Sequence, residues 1–256
     1  MLELPAFVRT YAPQAYEDPL DLVADYYTIQ GYHERYPDLG KTRLGRRFPA
    51  ISPDRIHNWL HDQPPAVVRG LEAVEDRGWF NAYPHHRAGH GLCLLVTATY
   101  AFGSLSSDAF MPRWAPSRDA TADRLIDALD TLDLGTDRGD GDVAPADAAA
   151  LLGRSLVALG CPVGQKTAET VAPLPEYILD ADEKTRLACA QVYALERGTV
   201  AEDHAAVQLH LTNRSEAFKE SVATLFRSLT DEPVTLGQTV TISAGASRDL
   251  DLPDHT

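Results

Sequence analysis

Two apolar segments of the same form limit what this chain can fold into. Glu183–Gly198 (EKTRLACAQVYALERG) and Gly91–Gly103 (GLCLLVTATYAFG) each lack proline and interior glycine, are apolar on most faces and stop at a glycine. Such segments read as buried helices, each closed by a glycine in the left-handed conformation that ends many helices. The residues beyond each glycine also match: a short strand-like run, a polar turn and a new helix, near Thr121 after Gly103 and near Ser215 after Gly198. The two offsets, 18 and 17 residues, agree closely enough to predict a diverged tandem repeat.

Ahead of the repeat, residues 1–18 hold two prolines and no clear period, and are read as an arm. From Pro19, Leu20, Val23, Ala24 and Tyr27 keep the spacing of an amphipathic helix closing near Gly31 or at Tyr36–Pro37. Gly40–Phe48 (GKTRLGRRF) is a short basic helix, and a tight turn at Pro49–Ile51 comes next. Ser52 then offers an N-cap, Pro53 suits the first helical turn, and Ile56, Trp59 and Leu60 make the apolar face of a third helix. This order predicts a helix-turn-helix domain over residues 19–83. In that motif the third helix enters the major groove, which would set Arg55, His57, Asn58 and also Asp54 and His61 toward base edges. Lys41, Thr42, Arg43, Arg46 and Arg47 would then lie near phosphates. A three-helix packing module with a solvated basic face is the competing reading. The four bases of Lys41–Arg47, with no acid among them, sit in a chain of net charge −14 and favour the DNA-binding one.

Pro64–Gly78 reads as a further helix on Val67, Val68, Leu71 and Val74, and Trp79–Gly91 as the connection between domains. That connection holds His85, His86 and His90, with Cys93 beyond it. No second ligand cluster accompanies them, so they are read as linker histidines or phosphate contacts, and no metal is expected. In the first repeat unit (about 89–160), Ala109–Trp114 is a strand broken by Pro112, Thr121 or Ser117 caps a helix, Asp133–Val143 is a hairpin or loop, and Pro145–Leu159 is a helix closed by Gly160. In the second (161–244), Ala206–Thr212 and Pro233–Ser243 are strands around a helix from Ser215. Val207, Leu209 and Leu211 alternate with Gln208, His210 and Thr212, as in a sheet with one buried and one wet face. Residues 245–256 are acidic and are read as a disordered tail.

A helix–Gly–strand–helix–strand unit present twice resembles the LAGLIDADG homing endonuclease fold. Leu151–Leu179 (LLGRSLVALGCPVGQKTAETVAPLPEYIL) is similar to that family's helix, "G-K" turn and "LPEYI" segment leading into its second motif helix. The expected fold class is therefore α+β: an N-terminal all-α helix-turn-helix domain and then a tandem-repeat LAGLIDADG-like domain of αββαββα type over residues 84–244. The resemblance implies motif helices packed through the small residues Ala98, Ala101 and Ala194. It also implies two sheets forming a saddle over double-stranded DNA, with Gln208, His210 and Thr212 on its wet face. The family's metal-binding acid stands just before the closing glycine, where this chain has Phe102 and Arg197. A two-metal displacement needs carboxylates there. Glu196, one position earlier and about 100° around a helix, would serve only after a register change. Fusions of a helix-turn-helix with an acid-free LAGLIDADG-like domain also resemble known transcription regulators, with the domains here in the reverse order.

The bases comprise only four lysines, Lys41, Lys166, Lys184 and Lys219, against nineteen arginines, and 37 acids outnumber the 23 bases. That balance points to a proteome adapted to high salt, the alternative being an ordinary acidic protein. Cys93, Cys161 and Cys189 form no CxxC pair, which favours a reducing cytoplasm. No stretch is apolar enough for a membrane span or a signal peptide. The expectation is a sequence-specific DNA-binding protein, regulatory and without nuclease activity or cofactor. It would be a monomer with an internal pseudo-twofold repeat, or a homodimer. An active homing endonuclease and a protein- or ligand-interaction module are the alternatives.

Overall fold

The computed structural model describes residues 1–13, 15–139, 141–200 and 206–252. The protein is of mixed α+β class, about half helical with small antiparallel sheets. It divides into two compact units, one spanning Glu3–Phe80 and the other joining Met1–Leu2 to the chain from Asn81 onward.

The Glu3–Phe80 unit is all-helical: α1 (Leu4–Val8), α2 (Pro19–Arg35), α3 (Lys41–Arg47), α4 (Pro53–Leu60) and α5 (Ala66–Asp76). Local chemistry sets the ends. Asp18 accepts from Leu20 N ahead of Pro19, and Ser52 accepts from Arg55 N ahead of Pro53, each satisfying an amide that lacks an intrahelical partner. α2 runs through Gly31 and stops at Arg35, because the residue before Pro37 is pushed out of helical geometry. Leu44 and Ile56 are fully buried, and Trp59 meets the Tyr26 ring edge-on at 5.7 Å while its carbonyl accepts from Gln30 Nε2 at 2.7 Å. Residues 1–18 are not a free arm. Phe7 and Val8 of α1 are fully buried, Phe7 meets Phe80 edge-on, and a side chain at Gly70 in α5 would collide with the Tyr11 hydroxyl.

In the second unit, α6 (Arg87–Ala101) leads to β1 (Ser104–Leu105), β2 (Pro112–Arg113), α7 (Asp119–Thr131), β3 (Thr136–Gly139), β4 (Asp142–Pro145) and α8 (Ala149–Ala158). A short α9 (Glu176–Leu179) precedes α10 (Glu183–Arg197), β5 (Gly198–Val200), β6 (Val207–Leu209), α11 (Glu216–Arg227), β7 (Val234–Leu236), β8 (Val240–Ile242) and α12 (Ala244–Asp249). Leaving α9 aside, the order helix, strand, strand, helix, strand, strand, helix occurs twice. The second sheet runs β5-β6-β8-β7, all antiparallel. The first comprises the hairpins β1-β2 and β3-β4, joined by an antiparallel bridge between Trp114 and Val143, so its strands take the matching order β1-β2-β4-β3.

The core is the pair α6 and α10, lying side by side and parallel. His90 Nδ1 meets Thr185 Oγ1 at 2.9 Å near their starts, and Arg197 Nε donates to the Ala101 carbonyl at 2.5 Å at their ends. Ala98, Ala101 and Ala194 are all buried.

Several boundaries differ from the sequence reading. α6 begins at Arg87, so His90 is helical, and Gly89 is required because any side chain would collide with the Tyr83 carbonyl. Gly103 and Gly198 do not adopt positive φ; Gly198 has φ −88° and already belongs to β5. Both are glycines for lack of room. A Cβ at Gly103 would lie 2.6 Å from Trp114 Nε1, and one at Gly198 2.5 Å from the Ala194 carbonyl oxygen and 2.6 Å from Val207 Cγ1. Gly160, in contrast, does take the left-handed conformation, with φ +100°. Neither Ser117 nor Thr121 caps α7, whose N-cap position is Arg118, and the Thr121 hydroxyl is buried without a partner. Pro145 belongs to β4, and α8 starts only at Ala149. The expected disordered tail is helical from Ala244 to Asp249: Ser243 accepts from Ala246 N, Ala246 and Leu250 are buried, and the Leu250 carbonyl accepts from Gln191 Nε2. Residues 253–256 lie outside the described residues.

Candidate nucleic-acid interface

In the Glu3–Phe80 unit, the basic residues of α3 are on the surface. Lys41, Thr42, Arg43, Arg46 and Arg47 are all exposed, as are His57 and Asn58 on α4. Gly45 is what lets the two helices close up, its missing Cβ lying 3.0 Å from Pro53 Cγ. Three of the candidate groups are engaged. Lys41 Nζ pairs with Asp54 Oδ1 at 3.0 Å, an exposed ion pair of little stabilising value. The Arg47 guanidinium lies 4.7 Å from the Tyr32 ring centroid, a cation–π contact. Arg55 is half-buried and interacts with the Tyr16 phenol. His57 and His61 have ring centroids 4.0 Å apart, and His61 Nδ1 meets the His57 carbonyl at 2.8 Å. Among the described residues, Arg43, Arg46 and Asn58 carry exposed side chains with no partner, which leaves their polar groups available to a nucleic acid.

In the second unit the sheets present polar rows to solvent. Thr199 pairs with Gln208, Gln208 with Thr241 and Thr241 with Thr235, all on the face opposite the buried Val207, Leu209, Val240 and Ile242. His210 and Thr212 continue from Gln208 at the same alternation and are exposed; His210 Nε2 meets Thr199 Oγ1 at 3.0 Å. The corresponding row of the first sheet starts with Ser104 beside Arg113 and ends with Ala144 beside Asp137. Its chemistry is different, since Arg113 is exposed and 3.8 Å from the Asp142 carboxylate.

Among the described residues, the ends of α6 and α10 carry no acid facing a second acid. Phe102 is the C-cap residue of α6. Glu196 Oε2 accepts from Ser117 N at 2.9 Å, tying the carboxylate to the segment before α7, and its other oxygen is buried without a partner. Cations gather there instead. Lys166 Nζ donates to the carbonyls of Thr99 and Gly103, Arg197 to Ala101, and Arg214 Nη1 to the Lys166 carbonyl at 3.1 Å. Burial, and then the Arg214 and Arg197 charges, push the Lys166 ammonium down to about 8. Burial likewise lowers Arg214. Lysine and arginine at a helix C-terminus meet carbonyls that lack partners and the negative end of the helix dipole. The sequence signalled Lys166 by the scarcity of lysine and by the G-K turn of the family resemblance, and Arg214 not at all.

His85, His86 and His90 border one cleft. The rings of His85 and His86 pack edge to face at 4.4 Å, His86 Nδ1 meets the Asn81 carbonyl, and His90 is held by Thr185. Burial, and after it the Lys184 charge, lowers the His90 pKa. Among the described residues no group of three or more His, Cys, Asp or Glu is arranged to hold a metal ion. Burial raises the thiols of Cys93, Cys161 and Cys189, that of Cys189 to about 12. No described helix is long and apolar enough to cross a membrane.

Compared with known proteins, the chain matches no protein-family model, and no similar sequence is found among the curated proteins.

Proposed function

We propose that the protein is a sequence-specific DNA-binding protein, a transcriptional regulator, with a helix-turn-helix domain and a LAGLIDADG-like domain that has lost its nuclease acids. The observation that carries this reading is the doubled helix, strand, strand, helix, strand, strand, helix order with matching strand orders, built on two parallel central helices. The exposed basic face of α3 and the unpartnered Asn58 on α4 support the helix-turn-helix. The wet row of Thr199, Gln208, Thr241 and Thr235, extended by His210 and Thr212, would form half of the saddle. With Phe102 and Arg197 at the helix ends, the domain binds without cutting.

A net charge of −14 repels phosphates at long range, so in high salt the affinity rests on base-edge contacts, hydration and shape more than on counterion release. Chromatin immunoprecipitation at native salt tests the reading and yields the site. Enrichment no greater than for an unrelated protein sinks it, and magnesium-dependent cleavage of the recovered site would restore the nuclease alternative. A second reading, ligand sensing, is favoured by one feature. A cleft of about 320 Å³ opens between α6, α7 and α10, floored by Leu94, Ala128 and Leu187 and rimmed by His90, Arg124 and Lys184.

A further inference from the structure

The C-terminal ends of α6 and α10 concentrate positive charge beyond what capping explains. Each helix end is worth about half a negative charge. Two such ends balance roughly one cation, whereas Lys166, Arg197 and Arg214 bring three. They lie close enough that Arg197 and Arg214 both disfavour the charge on Lys166, and Arg197 that on Arg214. Among the described residues none of the three forms an ion pair with a carboxylate, although acids outnumber bases 37 to 23 over the chain. Donors are left over as well. Arg197 uses only Nε and Lys166 two of its three N–H groups. Arg214 uses only Nη1, on the Lys166 and Asn213 carbonyls, with its guanidinium 5.9 Å from the Phe218 ring. A half-buried cluster of like charges with spare donors is stabilised by an anion that accepts several hydrogen bonds at once.

We propose that Lys166, Arg197 and Arg214 form an oxyanion-binding floor between the ends of α6 and α10, which takes a phosphate group with no divalent cation. The floor adjoins Gly103, whose carbonyl accepts from Lys166, and Gly198, which follows Arg197, where each wet sheet face begins. Resting on the DNA-binding reading, its occupant is a backbone phosphodiester of the bound duplex; a free phosphate offers the same oxygens. Fixed guanidinium and ammonium groups then neutralise the phosphate, and no water is activated to attack it.

The test uses the full chain and a fluorescent duplex carrying its immunoprecipitated site, with polarisation measured over a range of KCl. The wild type is expected to bind equally in EDTA and in magnesium. Arg197→Gln and Arg214→Gln should each weaken binding about tenfold and reduce the slope of log affinity against log salt by about one. Arg197→Lys, which keeps the charge, should recover most of the slope, and far-ultraviolet circular dichroism of each variant establishes that it is folded. In parallel, inorganic phosphate without DNA is titrated against the melting temperature. Duplex binding by the wild type with unchanged affinity and slope in both folded glutamine variants overturns the floor and leaves the DNA reading standing. No duplex binding, but a phosphate-dependent rise in melting temperature that Arg197→Gln abolishes, keeps the floor and assigns it to free phosphate. Duplex binding that requires magnesium overturns it.

Discussion

Lys166 is the buried charge whose energetics can be isolated most cleanly. Its ammonium is displaced from 10.5 to about 8 by burial and by Arg214 and Arg197, so the folded state at neutral pH carries a penalty of roughly 3 kcal/mol for holding the proton. Between pH 8 and 10.5 the unfolded chain binds more protons at this residue than the folded one. Stability attributable to Lys166 therefore rises with pH through that window. The neutral amine retains two N–H donors, enough for the Thr99 and Gly103 carbonyls that the ammonium already serves. Lys166→Met removes both the charge and the donors, and with them the pH dependence. Urea unfolding of wild type and variant at pH 7 and pH 10.5 in molar KCl gives the difference in stability at each pH. Buried tyrosines and cysteines titrate in both proteins and cancel. The difference should move by about 2–3 kcal/mol in favour of the wild type on going to pH 10.5. A difference that stays constant with pH would show that Lys166 titrates normally, and the account of a crowded, desolvated cation cluster would fail.

The same geometry sets other outcomes. Gly103→Ala and Gly198→Ala should each lose about 1–3 kcal/mol by forcing the helix ends off Trp114 and Val207. Gly31→Ala, with open space around it inside α2, should gain about 0.5–1 kcal/mol; urea midpoints distinguish the two classes. Arg43→Ala and Arg46→Ala should weaken binding to all duplexes alike and lower the salt slope by about one each, whereas Asn58→Ala should relax base preference with a loss of about 1–3 kcal/mol at one position. Competition binding against single-base variants of the site measures both. Cys93, Cys161 and Cys189 are buried and disfavoured as thiolates, so Ellman's reagent should find no reactive thiol in the native protein at pH 8 and three in urea. Any fast-reacting native thiol would contradict the burial.

α2 and α4 were legible because apolar period and capping residue agree there, as at Ser52, Pro53, Ile56 and Trp59 in α4. The glycines show where sequence runs out. A glycine needed for left-handed φ and one needed because another chain segment passes close look identical in sequence, and only the positions of Trp114 and Val207 reveal that Gly103 and Gly198 are the second kind. The five residues of α1 are too few to display a period, and their burial depends on Gly70, more than sixty positions away. The terminal helix, AGASRD, was hidden because six mostly small residues are too few to display a period. The basic face of α3 was visible as a local run of charge, but no local pattern announces that Lys166 and Arg214, 48 residues apart, meet at the ends of two helices.

The two rows on the sheets carry one more implication. Position for position, Ser104, Arg113, Ala144 and Asp137 in the first sheet answer to Thr199, Gln208, Thr241 and Thr235 in the second. A homodimer must present the same letters twice and reads the same word from either end. Two halves in one chain are under no such obligation, and here they have drifted apart, one into a charged vocabulary and the other into a neutral one. A molecule lying across both would be read with direction, from a first half to a second that says something else.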